Sequence, residues 1–284
     1  MAICLKTLLQ ITYLGMAKVP YALVVFSDLH VGNMFDFKAF YDAVALNKKI
    51  LADAYVSEFS IAFLGDVCDA SEIYRTQLTL AENRLQRYIA TEVISEAIDE
   101  LKTVASLKDV IVTAGNHDLR KGLELVYDVV RLLREKGYQV FYTENYLVYE
   151  IGGIRFLLTH TMSRRSRGSY FGGLTGYILT KILYLMVKTK SDIAVIGHTH
   201  KGGVWQDLVY QCSSFHIENL DINDRTMWTF IINDGKVFPE RIYVTPRLYS
   251  TQYQMEIMKF YIEKLIKLKK IEQTQPEIQS IIGK

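Results

Sequence analysis

Five short motifs rich in Asp, Asn, Gly and His occur in order along the chain, each directly after an apolar run. The motifs are Asp28-Leu29-His30, Gly65-Asp66, Gly115-Asn116-His117-Asp118, His160 and Gly197-His198-Thr199-His200. The runs before them are Tyr21 to Ser27, Phe59 to Leu64, Val110 to Ala114, Ile154 to Thr159 and Ile193 to Ile196. Nearly continuous apolar runs are typical of strands in a sheet that helices cover. Because ligands bind beyond the ends of such strands, the five motifs predict one shared site.

Helical periodicity between these strands predicts a layered α/β domain. Apolar residues recur at spacings of three and four in Phe37 to Val56, Leu80 to Val104 and Leu123 to Leu133. Strands that alternate with helices favour α/β layers.

The second half of the chain is richer in strands. Tyr146 to Ile151 is expected to pair with the strand that begins at Ile154, through the turn Gly152-Gly153. Asp234-Gly235 predicts a hairpin between Thr226 to Ile232 and Lys236 to Val244.

Composition narrows the class of protein without identifying a partner. The 284 residues are 50% hydrophobic and 23% charged, which is typical of a globular protein. A formal net charge of +2 gives no bulk electrostatic case for nucleic acid or a membrane, so either partner would need a local patch. The three cysteines lie far apart and predict a reducing compartment with no disulfide framework, so we expect a cytoplasmic location.

The first fifteen residues are mostly apolar, with one charge at Lys6. A weak signal segment, a packed N-terminal strand or helix, and an upstream extension with Met16 as the true start are the alternatives. We favour the last two, because the stretch is too short to span a bilayer and shows no clear cleavage pattern.

The ordered motifs resemble those of the calcineurin-like metallophosphoesterase superfamily. The superfamily pattern Asp-x-His, Gly-Asp, Gly-Asn-His-Asp/Glu, His and Gly-His-x-His is complete here. The resemblance covers about Tyr21 to Val244 and implies a four-layer α-β-β-α sandwich. We expect a catalytic domain over 16–245, followed by a C-terminal basic amphipathic helix and tail over 246–284.

The resemblance also implies a centre of two divalent metal ions. It assigns Asp28, His30 and His200 to one ion, Asn116, His160 and His198 to the other, and Asp66 to both. The two oxygens of a bridging carboxylate can hold cations about 3.5–4 Å apart. Mixed imidazole, carboxylate and amide ligands suit Mn, Fe, Zn, Co or Ni better than Mg or Ca, and Mn is our first expectation.

The expected reaction is attack on phosphorus by a metal-bridging hydroxide, since cations lower the pKa of bound water. The superfamily assigns His117 to protonation of the leaving oxygen. We expect Asp118 to orient His117, and Asp69 to bond a ligand imidazole. Arginines near the motifs are expected to bind substrate phosphates, and they are Arg120, Arg164, Arg165 and Arg167.

Two further residues near the motifs are expected to be structural. Cys68 is interpreted as buried packing, since the ligand set is complete without it. His216 is interpreted as a histidine of a loop or β region.

The motif variants favour the diesterase branch of the superfamily. Serine/threonine protein phosphatases carry Arg and Glu where this chain has Ala70 and Asp118. A metal-dependent phosphodiesterase, with nucleases included, is therefore the first hypothesis. A phosphomonoesterase or a nucleotide or lipid-nucleotide pyrophosphatase is the second. A catalytically silent scaffold is the third, disfavoured because such proteins usually lose ligands.

For two predicted helices with apolar faces, the sequence leaves more than one role possible. Tyr170 to Val187 is expected to pack on the core, and capping the site or binding an acyl chain is the alternative. Its length and Lys181 argue against a transmembrane span. Tyr253 to Ile271 is basic, and its predicted apolar face is Met255, Met258, Ile262 and Leu265. We expect it to dock on the domain or form a dimer contact, with an anionic membrane or nucleic acid as the alternative.

Overall fold

The computed structural model describes residues 19–32, 35–69, 83–119, 125–160, 176–216, 225–245 and 251–274. Within these ranges the elements follow one another as β1 (Tyr21–Phe26), α1 (Phe37–Asp53), β2 (Glu58–Leu64), α2 (Asn83–Lys102), β3 (Ser106–Thr113), α3 (Leu125–Glu135), β4 (Val140–Thr143), β5 (Tyr146–Ile151), β6 (Ile154–Thr159), α4 (Gly176–Thr189), β7 (Ile193–Ile196), β8 (Gly203–Trp205), β9 (Val209–Gln211), β10 (Arg225–Asn233), β11 (Lys236–Val244) and α5 (Thr251–Thr274).

The strands form two sheets. The larger sheet has the order β11-β10-β1-β2-β3-β4, and the smaller has the order β5-β6-β7-β9-β8. Strands β1 to β4 are parallel, and β10 lies antiparallel to β1. Both predicted hairpins are confirmed, since β5 pairs with β6 and β10 pairs with β11 in antiparallel register.

The two sheets pack face to face between layers of helices. In β6, the ring of Phe156 lies 5.2 Å from that of Phe230 in β10, whereas Leu157 belongs to a separate cluster with Ile182 and Met186 of α4. This alternation is the period of two that a strand imposes on its side chains. Helices α1, α2 and α3 contact the larger sheet. The expected four-layer α-β-β-α sandwich is confirmed.

Element boundaries differ from the sequence expectations where tertiary pairing or turns decide them. Helix α1 ends at Asp53 rather than near Val56, because Tyr55 adopts a φ of 52° and the Val56 amide bonds back to Leu51. Strand β3 begins at Ser106, four residues before Val110, because it pairs in parallel with the start of β2. The short strands β4, β8 and β9 were not expected, since three or four residues carry little periodicity.

Helix α5 docks on the domain, as one of the sequence interpretations expected. Its buried face consists of Tyr253, Ile257, Phe260 and Tyr261. Phe260 stacks on Phe37 of α1 with ring centroids 4.3 Å apart and an interplanar angle of 6°.

The apolar face of α5 noted in the sequence is not the face that docks on the domain. Met255, Met258 and Ile262 are 61%, 51% and 52% exposed. The aromatic residues occupy the interface instead, because they remove more apolar surface from water than methionine or isoleucine does. Nothing is described for the Leu265 side chain. Across the described ranges, no helix is both long enough and apolar enough to cross a membrane.

Candidate metal centre

The structure brings all seven predicted metal ligands together just beyond the strands. Strands β1, β2 and β3 of the larger sheet, and β6 and β7 of the smaller one, each lead directly into a motif. The seven residues are Asp28, His30, Asp66, Asn116, His160, His198 and His200. The carboxyl ends of both sheets therefore meet at one site, as strand-end placement predicted.

The first group of potential ligands consists of Asp28, His30, Asp66 and His200, whose ligand atoms lie within 4.8 Å of one another. The Nε2 atoms of His30 and His200 are 3.2 Å apart, and His200 Nε2 lies 3.2 Å from Asp28 Oδ1. Imidazoles that bind one ion with bonds of about 2.0–2.1 Å are spaced about 3 Å apart. Asp28 Oδ1 is buried without a hydrogen-bond partner among the described residues. This orphaned oxygen and the two converging imidazoles fit a divalent cation.

The second group consists of Asp66, His160 and His198, with Asn116 beside it. Asn116 Oδ1 lies 3.2 Å from His160 Nε2. The Nδ1 atom of His160 donates to the carbonyl of Leu64 at 2.7 Å. A carbonyl can only accept, so this bond fixes the tautomer and leaves Nε2 available as a metal ligand.

Asp66 belongs to both groups. Its Oδ2 lies 3.1 Å from His160 Nε2 and 3.9 Å from His30 Nε2. Its Oδ1 instead accepts a hydrogen bond from the His117 amide at 2.8 Å. Oδ2 is thus the Asp66 oxygen with contacts to imidazoles of both groups, and the expected division of the two oxygens between two cations stays a prediction.

The carboxylate that holds His117 is Asp69 rather than the expected Asp118. His117 Nδ1 lies 3.2 Å from Asp69 Oδ1 and 3.1 Å from the Asp69 carbonyl. The same Oδ1 lies 3.0 Å from His30 Nδ1, which confirms the expectation that Asp69 bonds a ligand imidazole.

The side chain of Asp118 turns back onto the backbone. It accepts hydrogen bonds from the amides of Val67 at 3.3 Å, Cys68 at 3.2 Å and Gly115 at 2.9 Å. Asp118 therefore closes the Gly-Asn-His-Asp turn and joins it to the loop after β2, because a short side chain in a tight turn reaches nearby amides first.

Backbone strain is concentrated at the site. Five of the seven predicted ligands have positive φ angles, namely Asp28 at 52°, His30 at 54°, Asp66 at 48°, His198 at 74° and His200 at 57°. Such conformations cost about 1–3 kcal/mol each in a non-glycine residue and persist where the surroundings enforce them. Here the Asp28 and His30 amides donate to the carbonyls of Gly65 and Asp66 at 3.1 and 2.9 Å.

Two motif glycines are needed because ligands of other motifs press against them. A Cβ on Gly115 would lie 2.0 Å from Asp66 Oδ1. A Cβ on Gly197 would lie 1.9 Å from Ser27 Oγ and 2.7 Å from Asp28 Oδ2. The motifs therefore pack directly against one another, and any side chain at position 115 or 197 would displace a potential ligand.

Electrostatics keeps the carboxylates charged. Burial alone would raise the pKa of Asp28, but His160 and His200 outweigh it and lower the pKa to about 2. Burial likewise opposes the charged form of His160, yet Asp66 and Asp28 raise its pKa to about 9. Burial, together with His160, lowers the pKa of His198 to about 4. Anionic carboxylates packed among imidazoles without a lysine or arginine partner in the described chain are the pattern expected of a cation site.

The protonation of His117 and Asp118 follows from their different neighbours. Burial opposes the charged form of His117, but Asp66 and Asp69 raise its pKa to about 10. Burial and the nearby Asp66 carboxylate raise the pKa of Asp118 to about 6. In the metal-free chain His117 is therefore protonated at neutral pH.

His216 is the residue near the site that the sequence interpretation undervalued. It forms an isolated β-bridge with Phe35, which agrees with the expected β region. Its buried ring also packs edge-on against His30, with centroids 5.1 Å apart. No motif spacing marks this residue, since only the fold brings it beside His30.

The expectations for Cys68 and for the substrate-binding arginines have different outcomes. Cys68 is buried and free, and burial raises the pKa of its thiol well above the ordinary value, so the packing role is confirmed. The four arginines expected to bind substrate lie outside the described residues, and they are Arg120, Arg164, Arg165 and Arg167.

A model of the calcineurin-like phosphoesterase family matches residues 21–202, more than half of the chain. The chain therefore belongs to the calcineurin-like phosphoesterases, and it is a hydrolase that acts on phosphoester bonds. The family implies divalent metal ions, which the two groups of ligands fit. A comparison with curated proteins finds no significant match.

Several solved structures are similar to this chain at low sequence identity. A protein from Streptococcus pneumoniae described as a predicted phosphoesterase is 16% identical, with a TM-score of 0.39, and the match covers 83% of this chain and 96% of that one. A hypothetical protein from Pyrococcus horikoshii is 13% identical, with a TM-score of 0.46 and coverage of 84% and 93%. A protein of unknown function from Aquifex aeolicus is 14% identical, with a TM-score of 0.33 and coverage of 71% and 92%.

Proposed function

We propose that the protein is a binuclear-metal phosphodiesterase, with nucleases among the candidate activities. The observation that carries the proposal is the position of Asp66 Oδ2, which faces the imidazoles of both ligand groups. One anionic oxygen shared by two adjacent ligand sets can bridge two cations, as in two-metal hydrolases. The diester preference is supported by the Asp118 and Ala70 variants of the motifs.

In this proposal Asp28, His30 and His200 hold one cation, and Asn116, His160 and His198 hold the other. Two bound cations would supply Lewis-acid polarisation of the phosphate and a water acidic enough to act as nucleophile near neutral pH. His30 Nδ1 donates to Asp69 and His160 Nδ1 donates to the Leu64 carbonyl, and these bonds keep the Nε2 atom of each imidazole aimed into the site.

His117 serves as the general acid in the proposed mechanism. Its Nδ1–H is directed to Asp69, so Nε2 is the atom left to carry a proton to the leaving oxygen. The His117 side chain is 6% exposed, which limits competing exchange of that proton with bulk water. No protein nucleophile is needed, because the attacking group is water.

Manganese and a cytoplasmic location are the finer parts of the proposal. The mixed nitrogen and oxygen ligand set supports a borderline metal, of which Mn is our first choice and Fe, Zn, Co or Ni are alternatives. The free, buried thiols of Cys68 and Cys212 support a reducing compartment.

The test is a substrate panel on metal-loaded protein. The purified protein would be assayed with Mn on bis-p-nitrophenyl phosphate, p-nitrophenyl phosphate and linear DNA, with chelator-treated protein alongside. We expect turnover of the diester well above that of the monoester, and turnover of DNA if the enzyme is a nuclease. Asp66→Asn should abolish turnover and lower the number of bound metals, while the exposed control Asp53→Asn should change neither.

The outcomes separate the proposed activity from its alternatives. Turnover of the monoester alone would reject the diesterase and favour a phosphomonoesterase. Two metals retained by Asp66→Asn at wild-type affinity would reject the bridging role. No turnover of any substrate under any metal, with metal still bound, would reject the proposed activity and favour the catalytically silent scaffold.

A further inference from the structure

The loop between β1 and α1 carries two of the proposed ligands, Asp28 and His30, and α5 is bonded to both parts of it that the structure describes. Helix α5 lies outside residues 21–202, the part that matches the family model. Its contacts with the loop therefore lie outside the segment that the family model matches.

Tyr261 of α5 bonds the loop two residues after His30. The amide of Gly32 donates to the Tyr261 hydroxyl oxygen at 2.8 Å, and the Tyr261 side chain is buried. Gly32 has a φ of 126°, and a Cβ there would lie 2.2 Å from the side chain of Gln86 in α2. The backbone at Gly32 is thus held between α2 and α5, at a position where only glycine fits.

A ladder of backbone hydrogen bonds connects this point to the ligands. The amide of Val31 donates to Val67 O at 3.0 Å, and the Asp69 amide donates to Val31 O at 3.0 Å. The His30 amide donates to Asp66 O at 2.9 Å. The hydrogen bond from Gly32 to Tyr261 comes directly after the last of these backbone hydrogen bonds. It therefore stabilises the end of the paired segment, where local opening would otherwise begin.

Tyr253 of α5 holds the other end of the loop at Asp36. The Tyr253 hydroxyl donates to Asp36 Oδ1, which also accepts from the Ala39 amide at 3.0 Å as the N-cap of α1. Arg225 pairs with Asp36 Oδ2 at 3.1 Å, and the Asp36 amide donates to Phe215 O at 2.7 Å. All these groups are buried, so water would not readily replace a bond that is lost.

The rest of α5 is anchored firmly enough to act as a support. Besides the stack of Phe260 on Phe37, Lys264 and Lys267 pair with Glu96 and Glu92 of α2. The Lys267 Nζ lies 2.9 Å from Glu92 and 3.3 Å from Glu96. Ion pairs and ring contacts on two helices hold α5 in register with the loop.

We propose that α5 clamps the β1–α1 loop, and that Tyr261 and Tyr253 are positioning residues that set affinity at the metal position of Asp28, His30 and His200. The part concerning metal affinity rests on the proposed function. The clamp itself does not, because the hydrogen bonds to Gly32 and Asp36 hold the backbone of the metal-free chain. The second metal position is built on β3, β6 and β7 and receives no contact from α5 among those described. Loss of the clamp should therefore weaken metal binding at the first position more than at the second.

The experiment uses the full chain with single hydroxyl deletions. Tyr261→Phe and Tyr253→Phe would be compared with Tyr55→Phe, the same change at a side chain that is 79% exposed. Hydrogen exchange would be measured in the metal-free proteins, and binding of Co or Mn would be measured by calorimetry. For Tyr261→Phe we expect amide exchange in residues 28–32 to be about tenfold faster, with exchange in the β10–β11 hairpin unchanged.

For metal binding we expect one of the two binding events to weaken about tenfold, as loss of a supporting hydrogen bond typically does. The other event should stay within about twofold of wild type, and Tyr55→Phe should match wild type throughout. Unchanged exchange in 28–32 would overturn the clamp, and equal losses at both binding events would overturn the selective effect. If the wild-type protein bound no divalent metal, the proposed function would fail, while the exchange measurement would still decide the clamp.

Discussion

Replacing Asp69 with asparagine should lower both the metal affinity and the efficiency of proton transfer by His117. One oxygen, Asp69 Oδ1, lies 3.0 Å from His30 Nδ1 and 3.2 Å from His117 Nδ1. Asp69 is 1% exposed, so water does not screen these contacts. Burial alone would raise the pKa of Asp69, but hydrogen bonds from His117 and His30 outweigh it and hold the pKa well below the usual range. Asp69 is therefore an anion that accepts hydrogen bonds from both imidazoles.

The size of the effect follows from the loss of these charge-assisted bonds. A hydrogen bond to a charged group contributes about 1.5–3 kcal/mol. At about 1.4 kcal/mol for each tenfold change, loss of the His30 bond should weaken one metal by about 10- to 150-fold. Loss of the His117 bond also removes the carboxylate that orients its ring, so proton transfer to the leaving oxygen should become less efficient.

The assay for Asp69→Asn combines calorimetric metal titration with rates measured at saturating metal. Diesters with poor leaving groups should slow by a further factor of about 10 to 100, since they depend on general-acid help, while bis-p-nitrophenyl phosphate should slow less. Asp109→Asn is the matched control, because Asp109 is also buried but bonds Tyr149, away from the site. Wild-type metal affinity together with an unchanged dependence on the leaving group would refute the dual role of Asp69.

Three further predictions test separate features. His117→Ala should retain both metals but slow diesters with poor leaving groups by about 10²- to 10⁴-fold, and a loss that is the same for every leaving group would contradict the acid role. Gly115→Ala should lower metal stoichiometry because its Cβ would lie 2.0 Å from Asp66 Oδ1, whereas Gly176→Ala, with open space around it, should bind metal normally. Burial raises the pKa of Glu96, but Lys264 outweighs it and the net shift is downward. Glu96 thus stabilises the fold above the pKa it has in the unfolded chain, and that contribution is lost as the pH falls through its lower folded pKa. Glu96→Gln should lower the free energy of unfolding by about 0.5–1 kcal/mol at pH 7, after allowance for partial exposure, and should not change it at strongly acid pH. Thermal unfolding of wild type and variant would be measured at both pH values. The same difference in stability at both pH values would contradict this account.

The layered fold and the ligand types could be predicted from local sequence because both depend on short-range geometry. An apolar run buried on both faces, such as Tyr21 to Ser27, needs only its own composition to identify it as a strand. A turn residue such as Asp28 or Asp66 directly after that run is placed at the sheet edge by chain connectivity alone. The β10–β11 hairpin was predictable for the same reason, since Asp234-Gly235 forms the turn by itself.

The partners of individual side chains were not predictable in this way. Asp118 follows His117 directly and was expected to orient it, yet Asp69, 48 residues earlier, makes that contact. The docking face of α5 could not be chosen from the sequence, because helical periodicity shows two apolar stripes and does not say which one meets a neighbour. His216 carries no motif, so its place beside His30 is visible only in the folded chain.

The sequence by itself determined which residue types gather beyond the strands, because strand, turn and helix are specified within a few residues. Tertiary structure alone decided that Asp66 presents one oxygen to both ligand groups, that Asp69 supports two imidazoles, and that Tyr261 supports the loop after β1. These contacts join residues 36 to 229 positions apart. Such pairs form only when two sheets and the helices around them pack, since burial and hydrogen-bond satisfaction select one partner among many of the same chemical type.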